Sequence, residues 1–484
     1  MVVNQFTMIF FQFLVFHSIT LFIFTFTAST KLNSIRSPPL LAFGNNGNFE
    51  VSKMDVLSEE IWHYHNIVTQ SESVLNKKLH LRDMLYYSIS PVFPMCGLYV
   101  VGSSLNGFGN NSSDMDLCLM ITNQDLDQQT DAVLILNMVQ NAIMELKWIR
   151  QQQLICAKVP ILRIKFSEPF QDITVDLNVN NSVAIRNTHL LCFYSSFDWR
   201  VRPLVTVVKE WAKRHDINDA NRSSFTSYSL VLMVIHYLQC GTEPRILPSL
   251  QEMYPDRFNP ENDVRALNVS SPLEPPSSNE WQFTDTTTLG ELLIGFLDYY
   301  AYHFDYLRDA ISVRLGKKTE RALVARQHSP YNTNNIAQWN CICIEEPFTL
   351  SNTAHSVHNQ VVFDAIRKAF CESHKELDRN RDLKAFLNAK PIKIPLCNPF
   401  GFIYYSLSFY KLLLDYSVSS VSSTSDNGRD IEHSSDETAT NSRSSITSCA
   451  ESGNETNMIS SNEFESADLK KTLFLKYLFF NICL

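Results

Sequence analysis

From about Met54 the chain switches between two hydrophobic periods, and the switches divide it. Leu57, Ile61 and His65 recur at helical spacing, and Val74 to Tyr87 continues as an amphipathic helix that Pro91 and Pro94 end. The period then falls to two. Leu98 to Gly102 is a short apolar run, a loop of Gly, Asn and Ser follows, and Met115 to Ile121 places Leu117, Leu119 and Ile121 on one face. Asp131 to Trp148 predicts a helix. Val159 to Phe166 predicts a strand with Arg163 and Lys165 on its outer face, and Ile173 to Leu177 a further strand. This order predicts a small mixed sheet with a helix against it.

After Thr188 the helical period returns, over Leu190 to Phe197, Pro203 to His215, Thr226 to Leu238, Leu289 to Phe304 and Val357 to Phe370. Pro203 suits a first helical turn. The Pro/Ser-rich Ser270 to Asn279 reads as a loop within this half, and Ser417 to Ser466 has the composition of a disordered segment. The fold class is therefore α+β: a mixed sheet with helices, then a mostly helical domain. The expected boundaries are a leader and linker at 1–53, a helical segment at 54–90 packing on the second domain, the sheet domain at 91–187 and the helical domain at 188–375. An extension at 376–416 and a tail at 417–484, with a short apolar end, complete the division.

Composition narrows the function classes. Forty-one basic against 50 acidic side chains give a net charge of −9, so the chain as a whole is a poor free-standing nucleic-acid binder. The 11 cysteines are odd in number and scattered; Cys341 and Cys343 alone sit close together, and a C-x-C pair without a second pair is weak support for zinc. They read as reduced, buried thiols. Met8 to Ala28 is apolar and uncharged, long enough for a membrane span or an uncleaved signal, but the first basic residue is Lys31. Two glycosylation sequons, at Asn110 and Asn111, fall in the polar loop after Gly102, where a glycan would block access to a site there. The expectation is an intracellular protein, with membrane contact only if the apolar segment is retained.

The chemistry concentrates in VGSSLNGFGNNSSDMDLCLM, from Val101. Gly102 and Ser103 end one strand, and Asp114 and Asp116 open the next. Residues two apart on a strand point the same way, so the two carboxylates make a site for hard divalent cations. Asp176 lies in the later strand ITVDL. D-x-D alone is common on solvated strand edges; with a Gly-Ser loop before it and a third Asp on a neighbouring strand, it suits a metal pair for in-line phosphoryl displacement. Ser103 and nearby backbone N–H groups are placed for phosphate oxygens.

Gly102-Ser103, the Asp114-Met115-Asp116 triplet and Asp176 downstream resemble the signature of the polymerase-β-like nucleotidyltransferases. NSSDMDLC and VDLNVNNSVAIRNTHLL are similar to the cytoplasmic poly(A) polymerase and terminal uridylyltransferase branch, and within it to the germline-development type. The resemblance covers about Met54 to Phe370. It implies a catalytic nucleotidyltransferase domain at 91–187, a helical domain with a poly(A)-polymerase-associated region, and a nucleotide cleft between them. It implies Asp114, Asp116 and Asp176 as catalytic metal ligands for Mg2+ or Mn2+, with ATP as substrate and an RNA 3′ end as acceptor. Lys209 and Lys213, one helical turn apart, match triphosphate-binding lysines, Ser227 a triphosphate contact and Tyr228 a base-stacking aromatic. Ala184 and Asn187 match nucleotide contacts. Asn352 in SNTA stands where uridylyltransferases of the branch place a histidine, which favours ATP over UTP. The implied setting is cytoplasmic, with the nucleus as an alternative. With no RNA-recognition, KH or zinc-finger signature, a separate RNA-binding adaptor is expected. A terminal uridylyltransferase and an inactive scaffold of the same fold are the rival readings.

Overall fold

The computed structural model describes residues 51–274, 286–327, 339 and 341–391; the expectations for Met8 to Ala28 and for the tail from residue 417 lie outside them. Two helices come first, α1 (Lys53–Val68) and α2 (Glu72–Ile89), each started by a serine, Ser52 or Ser71, whose hydroxyl accepts an amide hydrogen bond from the first turn. Strands β1 (Gly97–Val101) and β2 (Met115–Met120), helix α3 (Asp131–Ile143), and strands β3 (Ile149–Ile155), β4 (Ile161–Phe166) and β5 (Thr174–Val179) follow. The strands form one sheet in the order β1-β2-β5-β4-β3, with β2 and β5 parallel and the other neighbours antiparallel.

Period-two alternation sets which face of this sheet is covered. Met115, Leu117, Leu119, Leu162, Ile164, Val175 and Leu177 are all fully buried, packed with Leu81 and Leu85 of α2 and Leu136 and Val139 of α3. The opposite face carries the polar residues of the same strands.

The second half begins with α4 (Ser182–Phe197), α5 (Val201–Arg214), α6 (Ser227–His236), α7 (Leu250–Met253) and α8 (Leu289–Asp298). A hairpin of β6 (Asp309–Ser312) and β7 (Lys317–Glu320) leads to α9 (Arg321–Arg326), α10 (Gln360–Asn380) and α11 (Leu383–Leu387). Trp211, Phe296, Tyr300 and Phe370 fill the centre of its core, and the Trp211 indole N–H donates to Ser373 Oγ at 2.9 Å.

Three expectations change. The 54–90 segment does not pack on the second domain alone: α1 lies on α5 and α8, whereas α2 lies on α3 and β1. Helix α4 runs through the 187/188 boundary, so Asn187 is inside a helix whose N-cap is Asn181. The stretch 131–148 is a helix only to Ile143, and the strand at 149–155 has no counterpart in the sequence pattern. IRQQQLI carries three glutamines and no alternating apolar set, as suits an exposed sheet edge. Among the described residues no helix is long and apolar enough to cross a membrane.

Candidate active site

Strand register brings the acidic residues together. Asp116 pairs with Asp176 across the parallel β2/β5 contact, and Asp114 precedes Asp116 by two residues. Both pairing positions face away from the α2/α3 core. Further along the same face Cys118 and Met120 are buried with Ile185 of α4, so only the start of β2 opens into solvent. There a cleft of about 1050 Å³ is lined by Gly102, Ser103, Asp114, Asp116 and Asp176 from the sheet half, and by Ala184, Asn187, Lys209, Lys213, Ser227 and Tyr228 from the helical half. Eleven of the twelve residues expected at the site thus share one cavity.

Asn352 is the exception. It is 2% exposed, its Oδ1 accepts from the amides of Ile344 and Ala354, and its Nδ2 donates to Ile342 O. The side chain braces its own loop and does not line the cleft, so base selection by direct contact with Asn352 is corrected. His355, three residues on, is exposed.

Crowding three carboxylates has an electrostatic consequence. Burial, then the charges of Asp176 and Asp114, push the Asp116 carboxyl up to about 7; burial, then Asp176, raise Asp114 as well. Near neutral pH the Asp116 carboxyl therefore holds a proton part of the time, a bound cation displaces it, and cation affinity falls as pH drops through about 7. An all-oxygen, mutually repelling donor set of this kind fits hard divalent ions. Among the described residues no three such side chains enclose an ion as they stand. The third carboxylate is engaged elsewhere: Arg163 Nε and Nη2 donate to Asp176 Oδ1 and Oδ2 at 2.8 and 2.7 Å, a bidentate fork. Arg163 pairs with Asp176 in the β4/β5 register, so the strand's outer face is the carboxylate face.

The loop between β1 and β2 is held from below by Lys78, a residue absent from the expectations. Its side chain is 1% exposed, and Nζ donates to Gln70 Oε1 (2.8 Å), Ser104 Oγ (3.0 Å) and Ser113 O (2.8 Å), satisfying all three ammonium protons. Burial lowers its pKa, opposed by the charges of Asp116 and Asp114. Burying an ion costs several kcal/mol, offset by those bonds and by Leu81, Leu85 and Ile89 on the same helical face at roughly 1.5–3 kcal/mol each. Lys78 stands three residues before Leu81, so helix phase was the signal that singled it out from Lys77.

Two further contacts shape the cavity. Gly102 has φ +69°, and a Cβ there would stand 2.6 Å from Asp116 Oδ2, so only glycine lets the turn approach the carboxylate. Its amide donates to Thr188 Oγ1 at 2.9 Å, tying the loop to α4. Lys209 Nζ donates to Phe108 O at 2.9 Å while Lys213, one turn on, is exposed in the cleft. Across it, the Tyr228 hydroxyl donates to Glu346 Oε1 at 3.1 Å, which holds the ring in place. The Asn187 Oδ1 is buried with no hydrogen-bond partner among the described residues.

Comparison with known proteins agrees with this architecture. Residues 57–196 match the family model of the mitochondrial-like poly(A) RNA polymerase central palm domain, and residues 288–352 that of the Cid1 family poly A polymerases. A solved structure of a GLD-2/RNP-8 complex contains a chain 62% identical, with a TM-score of 0.63, of which 99% is covered by 70% of this one. The chain belongs to the GLD-2 poly(A) RNA polymerases. Poly(A) RNA polymerase gld-2 of Caenorhabditis elegans is 58% identical over 386 residues, 72% of this chain and 35% of the relative. Poly(A) RNA polymerase GLD2 of Homo sapiens is 43% identical over 341 residues, 69% of this chain and 66% of the relative. The chain thus spans about a third of the worm member of the family and about two thirds of the human one.

Proposed function

We propose that this chain adds AMP from ATP to the 3′ end of RNA without a template. The observation that carries the proposal is the register of Asp116 beside Asp176 at the mouth of a cleft whose other wall holds two lysines, a serine and a tyrosine. The bond from the RNA 3′ oxygen to the α-phosphorus forms as the bond to pyrophosphate breaks. Mg2+ or Mn2+ held by Asp114, Asp116 and Asp176 would neutralise charge on the attacking and leaving oxygens. Ser103, Lys209, Lys213 and Ser227 hold the triphosphate, and Tyr228 offers the base a ring whose stacking contributes about 1–3 kcal/mol. Asn187, whose Oδ1 has no partner among the described residues, suits a ribose hydroxyl, and Ala184, three residues before it, lines the same cleft. Asp176 exchanges Arg163 for this role and accepts the 3′-hydroxyl proton at a carboxylate oxygen.

The support for adenine lies in the names of the similar proteins, poly(A) RNA polymerases at 58% and 43% identity, since Asn352 does not reach the cleft. With a formal charge of −9, the chain is expected to bind RNA weakly by itself; a separate RNA-binding adaptor then supplies affinity, and the solved GLD-2/RNP-8 complex supports association with another protein. A cytoplasmic setting follows from the same family reading. A nucleotide panel tests the proposal: the purified chain, Mg2+, an oligo(A) primer and each ribonucleoside triphosphate in turn. AMP is expected to be incorporated in preference to the other three, and preferential UMP incorporation would overturn the adenylation assignment.

A further inference from the structure

We infer that the open face of β4 and β3 is the track along which the last nucleotides of the RNA reach the carboxylates. The inference deepens the proposed transferase reading and rests on it. Sheet order supplies the direction. Gly102 and Ser103 follow β1, at one edge, and with α5 and α6 they form the side of the cleft assigned to the triphosphate. In-line displacement puts the attacking oxygen opposite the leaving pyrophosphate. The 3′ end must therefore approach from the far side of Asp176, and the strands there are β4 and then β3.

The face they present suits that occupant. Register sets Asp116, Asp176, Arg163 and Gln153 in one cross-strand row, and Thr174, Lys165 and Gln151 in the next. Paired residues on adjacent strands point the same way, and Leu162 and Ile164 fill the buried face, so both rows face outward. Lys165, Gln151 and Gln153 are exposed and Arg163 is half-exposed. In a chain of net charge −9, the rows beyond Asp176 carry two cations and two amides and no carboxylate. Guanidinium and ammonium groups answer phosphates, and exposed amides meet ribose hydroxyls or base edges without a pocket that would select a sequence. From β5 to β3 is two strand spacings, about 10 Å, enough for about two nucleotides.

The test uses the whole chain with Lys165→Glu, Gln151→Glu and Gln153→Glu combined, all exposed positions remote from the apolar core. Primer KM, ATP KM and kcat are measured with oligo(A), and RNA binding by fluorescence anisotropy without ATP. Loss of charge-assisted contacts is expected to raise the primer KM about tenfold or more and to weaken binding in step. The ATP KM should stay within about twofold, a split that a general structural defect would not produce. The salt dependence of binding should become shallower, since phosphate contacts carry it. Unchanged primer KM and RNA affinity would overturn the track. If the unmodified chain transfers no nucleotide to any primer, the transferase reading fails, while the anisotropy comparison still decides whether this face binds RNA.

Discussion

Replacing Asp176 with alanine lowers nucleotide transfer on the order of a thousandfold or more and leaves the protein folded. A catalytic metal site contributes several kcal/mol to the transition state, and each ~1.4 kcal/mol is about tenfold in rate. Asp176 is the β5 carboxylate in register with Asp116 on β2, so under the proposed function its loss removes both a metal ligand and the acceptor of the 3′-hydroxyl proton. Stability responds differently. The Arg163–Asp176 pair is partly exposed on the arginine side, with 37% of that side chain accessible, so screening limits what its removal costs. The charge of Asp176 also helps to raise Asp116, so the Asp116 proton leaves at lower pH in the variant. Single-turnover rates and thermal midpoints on the same preparations should therefore diverge: a collapsed rate with a nearly unchanged midpoint. Retained transfer would remove Asp176 from the site.

Replacing Lys78 with methionine is expected to change both quantities. Methionine approximates the length but donates nothing, so Gln70 Oε1, Ser104 Oγ and Ser113 O lose their donor together. Leaving buried acceptors unsatisfied costs about 1–3 kcal/mol each, less where water enters, so a net loss of ~3 kcal/mol is expected. For a domain of this size that lowers the thermal midpoint on the order of 5–10 °C. Ser104 and Ser113 bracket the loop that ends at Asp114, so the turnover number falls along with the midpoint. Arginine is not expected to rescue it, because a planar fork does not reach three acceptors arranged around one ammonium. An unchanged midpoint would mean that the loop holds its shape without the buried cation.

The parts of this site that could be seen beforehand are those encoded by local period and spacing. Asp114 and Asp116 share a side because strands alternate, and Gly102-Ser103 marks the turn before them. Lys209 and Lys213 fall on one face because helices turn every 3.6 residues. What stayed hidden depends on which elements touch. Arg163 and Lys165 were placed on an outer face, but only the β5-β4 register makes that face the one bearing Asp176. Lys78, next to Lys77 in sequence, is buried because α2 packs with Leu81 and Leu85 inward, a contact that local spacing does not fix. The edge strand at 149–155 gives no hydrophobic signal because, among the described residues, no strand pairs with its outer side, and Gln151 and Gln153 meet solvent. Asn352 shows the opposite failure: the motif match pointed to a residue that reads the base, but the backbone turns the amide inward onto Ile342, Ile344 and Ala354.

Diffraction from crystals of the chain grown with Mn2+ and a non-hydrolysable ATP analogue tests the central claim most directly, since anomalous scattering locates the ions independently of activity. Two manganese peaks about 3.5–4 Å apart, bounded by Asp114, Asp116 and Asp176 with Arg163 withdrawn from the last, are expected. Peaks away from these carboxylates, or an Asp176 still forked to Arg163 with the nucleotide bound, would contradict it.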